Sequence, residues 1–254
     1  MTLRLQDGAA WISFSEPDRG NPINLTSVRA LQADVQAARQ ADAHVVVLAP
    51  SGTAFSVGGD LAAFGDQESP GAYLQELADL LHLVVSDLQR LDAVVVSVVQ
   101  GVAAGAGFPL AAAADLVIAA ESARFTLAYT KVGLTPDGGS SLLSSTVGLH
   151  TALRLALLNP VLSAQEAQAL GLVTAVHPDA ELTQAAEKLV ADLLAGSRSA
   201  QVGAKRLLRG QAVPHLETAL RLETLSIRDA AESADGREGV RAFLDKRRPR
   251  FGQA

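Results

Sequence analysis

The chain contains no cysteine, which excludes disulfides and thiol chemistry. It also offers no clean membrane span. The uncharged stretch from Ala93 to Ala114 is interrupted by Gly101, Gly105, Gly107 and Pro109, carries Ser97 and Gln100, and has no aromatic or basic anchor at either end. The amino-terminal MTLRLQDGAAW lacks the apolar core of a secretion signal, so the cytoplasm is the expected compartment. Cations are in the minority, 21 Lys and Arg against 27 Asp and Glu for a net charge of −6, and no nucleic-acid surface is expected from that balance. The five histidines, His44, His82, His150, His177 and His215, are scattered with no i, i+4 pair, so no metal site is expected. No GxSxG elbow surrounds Ser56, which argues against a serine hydrolase. There is no internal repeat and no low-complexity linker.

What is present is a sizeable apolar complement, 48% of 254 residues, enough for one large domain or a domain with an appendage. The organising stretch is AVVVSVVQGVAAGAGFPLAAAA, residues 93–114. Its β-branched first half reads as a strand buried on both faces, and its alanine-rich end from Phe108 reads as a short packed helix. Between them the glycines form a loop whose backbone N–H groups converge on one point, suited to an anion, a phosphate or a developing oxyanion. A dinucleotide loop at Gly105-Ala106-Gly107 is a weaker alternative, because the third glycine of GxGxxG would fall on Leu110, and plain core packing with no chemistry is another.

Around this stretch the chain alternates strands and helices. Two short runs flanking Asp7-Gly8 predict a β-hairpin. A helix is predicted from about Thr26, with Val28, Leu31, Val35 and Ala38 on its inner face, followed by a buried strand over 44–49. That strand ends in a second glycine loop, Ala54-Phe55-Ser56-Val57-Gly58-Gly59-Asp60-Leu61. After a polar segment from Gly65 to Gly71, a long helix is predicted with Ser69 as cap, Pro70 in its first turn and the stripe Leu74, Leu77, Leu81, Val84, Leu88 and Leu91. Strands follow at 115–119 and 124–126. Ser163 and Glu166 form a capping-box signature, a last short strand spans 173–177, and helices are predicted at roughly 179–195, 197–209, 214–230 and 236–246. The composition shift near Gly196 suggests a core over 1–195 and a helical oligomerisation region over 196–254. Parallel pairing would gather both glycine loops at one sheet edge. Asp137, before two glycines, either caps the helix near Ser140 or projects into a cleft, and it has no obvious charged partner in sequence. Asp115, at a helix-to-strand junction, reads as structural.

The two loops together, with Asn21-Pro22-Ile23-Asn24 upstream and residues 238–246 downstream, resemble the paired signature of the crotonase superfamily, the enoyl-CoA hydratases and isomerases. The resemblance covers essentially the whole chain. It implies an α/β spiral of ββα units with a carboxy-terminal helical trimerisation region, assembled as a homotrimer or dimer of trimers. It implies a coenzyme A thioester as substrate and no separate cofactor. The backbone amides of Ser56 and Ala106 would form the oxyanion hole, and Arg19, Gly58, Asp60, Leu61, Gly105 and Tyr129 would contact the acyl-CoA.

The departures from the family pattern direct the functional reading. Hydratases of this family carry two glutamates, and the matching positions here are Pro109 and Tyr129. Hydration conventionally uses two carboxylates, whereas moving a double bond needs one base. Thr135-Pro136-Asp137-Gly138-Gly139 is similar to the segment where some isomerases of this superfamily carry their single acid, so the expected activity is 3-enoyl-CoA to 2-enoyl-CoA isomerisation with Asp137 as acid/base. An enoyl-CoA hydratase, an isomerase of ring-derived acyl-CoAs, and a non-catalytic acyl-CoA-binding protein are the alternatives. The basic run Arg237, Arg241, Lys246, Arg247, Arg248 and Arg250 is either a solvated tail or a partner for CoA phosphates.

Overall fold

The computed structural model describes residues 2–14, 16–65 and 67–252. Strands β1 (Thr2–Gln6) and β2 (Ala9–Ser13) form the expected antiparallel hairpin, and Asp7 and Gly8 take the positive φ of its turn, 50° and 85°. Helix α1 (Leu25–Gln40) starts one residue before the predicted point. Its cap is Asn24, whose side chain accepts the Ser27 amide while the Ser27 hydroxyl accepts the Asn24 amide. The predicted inner face Val28, Leu31, Val35 and Ala38 is buried.

Strand β3 (Val45–Leu48) leads through the first glycine loop to the short helix α2 (Leu61–Gly65) and the long helix α3 (Pro70–Arg90). Pro70 opens α3 as expected. The Ser69 side chain makes no capping bond, and its carbonyl instead accepts the Tyr73 amide. Strand β4 (Val94–Val99) is buried at every residue. The second loop then contains a short strand not anticipated from sequence, β5 (Val102–Ala104), before helix α4 (Gly107–Ala112).

Strands β6 (Leu116–Ala120) and β7 (Arg124–Thr126) follow, then helices α5 (Leu143–Val147) and α6 (Leu149–Leu158). A two-residue strand β8 (Leu162–Ser163) precedes helix α7 (Ala164–Ala169), which carries the predicted capping box of Ser163 and Glu166. After β9 (Ala175–His177) the chain is helical: α8 (Leu182–Leu194), α9 (Arg198–Ala212), α10 (Leu216–Glu232) and α11 (Ala234–Leu244).

The main sheet has the order β1-β2-β3-β4-β6-β9, parallel from β2 onward, and a second sheet runs β5-β7-β8. The valine runs follow from burial on both faces. Val45, Val47, Val94, Val96 and Val98 pack with Leu182, Ala186 and Val190 of α8, while Val46, Leu48, Val95 and Val99 face the core with α1, α3 and α4. Helix α10 packs mainly on α3 of the same chain. No described helix is long and apolar enough to cross a membrane.

Candidate active site

The two glycine loops meet because each pairs with the other's backbone. Ser56 forms a parallel bridge with Ala103: its amide donates to the Val102 carbonyl at 3.0 Å and its carbonyl accepts the Ala104 amide at 2.9 Å. The approach is close enough to demand glycine. Gly58 has φ 90°, and a Cβ there would sit 2.7 Å from the Ala104 carbonyl oxygen. Gly105 has φ 50°, and its would-be Cβ would lie 3.8 Å from the Gly59 amide nitrogen, which brings the second loop against the first at that point.

This pairing corrects one expected role. The Ser56 amide is spent on Val102, its hydroxyl donates to the Asn21 carbonyl at 2.8 Å and accepts the Gly58 amide at 3.1 Å, and the residue is fully buried. Ser56 therefore ties the loops together and presents no free donor. The amide left over in that loop is Gly59. In the bridge between Ile23 and Gly59 the bonds run from the Ile23 amide to the Gly58 carbonyl and from the Asp60 amide to the Ile23 carbonyl, so the Gly59 N–H finds no acceptor among the described residues. The Ala106 amide, ahead of α4, likewise has none.

Gly59 and Ala106 both line a cavity of about 350 Å³ that Asp137 also lines. Its walls are apolar, from Leu74, Leu77 and Leu81 on α3, Leu127, Val132 and Leu134 beyond β7, and Ile227, Phe243 and Leu244 on the last two helices. Of the expected acyl-CoA contacts, Arg19, Asp60, Leu61, Gly105 and Tyr129 line this cavity, and Gly58 shapes the loop from behind it. Arg19 is ion-paired to Asp60 at 2.8 Å and to Glu16 at 2.7 Å. Asp60 also caps α2, accepting the Ala63 amide at 3.3 Å.

Asp137 does not cap the following helical turn, whose leading residue is Gly139. Its carbonyl accepts the Tyr129 phenol at 3.0 Å and the Ser140 hydroxyl at 2.6 Å, and its carboxylate faces inward. The expectation that it lacks a charged partner is overturned. His82 Nε2 lies 3.0 Å from Asp137 Oδ1 and 3.4 Å from Glu223 Oε2, with all three side chains buried. The ring N–H is not aimed at Oδ1, so the contact is an ion pair rather than an aligned hydrogen bond, and neither atom has another hydrogen-bond partner among the described residues. Burial alone would push the His82 pKa down, but Asp137 and Glu223 outweigh it and hold the imidazole at about 9. Burial pushes the Asp137 carboxyl up and Glu223 adds to this, with His82 opposing. Burial also drives the Tyr129 phenol well above its ordinary range.

His82, Asp137 and Glu223 each offer a ligand atom within 4.8 Å of the others, although no metal site is expected from the histidine spacing. Both Glu223 oxygens already accept amides, from Gly139 at 2.8 Å and Ser141 at 2.7 Å. The sequence signal for His82 is its place in line with Ala78, Val85 and Gln89, a second buried row of α3.

Pro109 and Tyr129, the positions of the absent glutamates, are buried and carry no carboxylate. Asp115 is structural, accepting the Val95 amide and pairing with Lys205 and Arg209. In the carboxy-terminal basic run, Arg237 pairs with Glu232, and Arg247 pairs with Glu238 and Asp245.

A short parallel sheet clamped by two glycine loops around an apolar cavity, with helices closing one side, is the architecture of the crotonase superfamily. Residues 4–254 match the family model described as enoyl-CoA hydratase/isomerase, and the chain belongs to that family. It is similar to a probable enoyl-CoA hydratase of Rhodobacter capsulatus, 36% identical over 249 residues, with 97% of this chain and 95% of that protein covered. It is also similar to the 1,2-epoxyphenylacetyl-CoA isomerase of Escherichia coli, 35% identical over 252 residues, covering 97% and 96% of the two chains. Among solved structures, an enoyl-CoA hydratase from Mycobacterium avium subsp. paratuberculosis K-10 superposes with a TM-score of 0.90 at 33% identity, covering 98% of this chain and 97% of that one.

Proposed function

We propose that the protein moves a double bond in an acyl-CoA thioester from the 3- to the 2-position, with Asp137 as the single acid/base and the Gly59 and Ala106 amides as the oxyanion hole. The observation that carries this reading is the shared cavity: the Asp137 carboxylate and two amides with no acceptor among the described residues line the same apolar space.

The chemistry balances with those groups alone. The Asp137 carboxylate takes a proton from C2, and the C–H electron pair delocalises through C3=C4 and the thioester carbonyl as a dienolate. The negative charge on the carbonyl oxygen is met by the two amides, each such donor being worth on the order of 10²–10³ in rate. Protonated Asp137 returns the proton at C4, leaving C2=C3. Burial suits the task, because a carboxyl raised from its ordinary range is a stronger base than a solvated one. Hydration is disfavoured because the one other acid among the described cavity residues, Asp60, is held by the Arg19 guanidinium and engaged in capping α2.

The E. coli relative's name extends the substrate panel to ring-derived thioesters. The exposed Leu207, Leu208 and Leu222 of α9 and α10 support a homotrimer or dimer of trimers as the working form. The test assays 2-enoyl, 3-enoyl and ring-derived CoA thioesters with the wild type and Asp137→Asn. We expect isomerisation and α-deuterium washout in the wild type, and retained binding with turnover lowered by roughly 10²–10⁴ in the variant. Turnover within a few-fold of wild type in Asp137→Asn overturns the reading.

A further inference from the structure

Three buried ionisable groups on three separated segments meet behind the cavity, and only Asp137 has a role so far. We propose that His82 is a positioning residue, an imidazolium clamped between Asp137 and Glu223 that keeps the Asp137 carboxylate charged and fixed toward the acyl group. The proposal rests on Asp137 being the acid/base.

The protonation of His82 follows from its neighbours. Nδ1 lies 3.1 Å from the Thr224 hydroxyl, which has the Leu220 carbonyl at 3.4 Å as an acceptor for its own proton and is thereby able to accept from a protonated Nδ1. Nε2 faces two carboxylate oxygens, at 3.0 and 3.4 Å, and two such acceptors favour a proton there as well. The remaining titratable group nearby, the Tyr129 phenol, donates to the Asp137 backbone and stays neutral.

Glu223 supplies the other half of the device. Its two oxygens accept the Gly139 and Ser141 amides, which pins the loop carrying Asp137 to α10. Two carboxylates buried this close without a cation would not both stay ionised, and one would take a proton. With His82 charged, the cluster carries one net negative charge at rest. When Asp137 accepts the C2 proton the cluster becomes neutral, His82 keeps both of its protons, and the negative charge moves to the thioester oxygen. The Nε2–H is off the Oδ1 direction without substrate, and catalytic contacts of this kind tighten in the bound complex.

The experiment reads the pH dependence of kcat/KM for a 3-enoyl-CoA in wild type, His82→Gln and Glu223→Gln. We expect His82→Gln to move the acidic limb to higher pH by about one unit, with up to about tenfold loss of kcat/KM on that limb, and Glu223→Gln to move the limb to lower pH. Limbs that stay in place, or shift in the same direction in both variants, overturn the clamp. Should either variant fail to fold, the wild type alone decides through long-range ¹H–¹⁵N correlation of the imidazole. Two protonated ring nitrogens at pH 7.5 support the clamp, and a neutral tautomer overturns it. An inactive Asp137→Asn beside an unmoved limb in His82→Gln fails the clamp alone, whereas an active Asp137→Asn fails the acid/base reading as well.

Discussion

The Glu223 carboxylate, on α10, accepts the Gly139 amide at 2.8 Å across 84 residues of chain. A carboxy-terminal helix thereby holds the loop that presents Asp137. The helices after Gly196 are in this respect part of the site wall, with Ile227, Phe243 and Leu244 completing the cavity within the same chain.

Ala106→Pro separates the oxyanion hole from the fold. Ala106 has φ −63°, the value proline imposes, and its N–H has no partner to lose. We expect near-wild-type thermal stability by calorimetry and turnover lowered by roughly 10²–10³. Ser56→Ala should behave in the opposite way, costing about 1–3 kcal/mol of stability through the lost contacts to Asn21 and Gly58, with a smaller effect on turnover than Ala106→Pro.

Stability should fall as pH rises from 6.5 to about 9. His82 binds its proton more tightly folded than unfolded, about 9 against 6.5, so its contribution is complete below 6.5 and is lost as pH passes through 9. The raised Asp137 carboxyl acts in the same sense above its ordinary 3.8, since the folded state again holds the extra proton. Urea melts across this range should show a decline on the order of 3 kcal/mol in wild type that is largely absent in His82→Gln.

Asp115→Ala should be strongly destabilising without touching the chemistry. Lys205 Nζ is buried against the Leu88 and Ala93 carbonyls, each at 2.9 Å, and Asp115 Oδ2 at 2.8 Å is its counter-ion. Leaving that ammonium unpaired costs about 3–5 kcal/mol, measurable by chemical denaturation.

Affinity should depend on the nucleotide half of the ligand. The cavity is apolar and the free amides meet only a thioester oxygen, so charge at the mouth, with Arg19 lining it, would orient the phosphates. A CoA thioester is expected to bind at least about tenfold more tightly than the pantetheine thioester of the same acyl group by calorimetry, one strong phosphate contact being worth roughly 1.5–3 kcal/mol. Equal affinities would remove Arg19 and its neighbours from CoA recognition.

Local patterning made much of the fold legible. Asp7-Gly8 dictates a hairpin turn because both residues tolerate positive φ, Ser163 and Glu166 satisfy each other's helix-start donors, and the leucine stripe of α3 follows from a period of 3.6 residues. Valine runs bounded by glycine loops mark strands buried on both faces and place the two loops at one sheet edge. Asp137 stands out because the proline before it and the glycines after it exclude regular structure there.

The rest is decided by contacts between distant segments. Which amide of the first loop is free depends on β5 capturing the Ser56 N–H, and β5 is three residues long, too short to carry a sequence signal. Histidine spacing says nothing about His82 and Glu223, because α3 and α10 bring them to Asp137 from distant segments on either side of it in the sequence. Local periodicity fixes which face of a helix is buried. Only the packed structure determines which charges share that buried space, and in a low-dielectric interior that choice sets the protonation of the site.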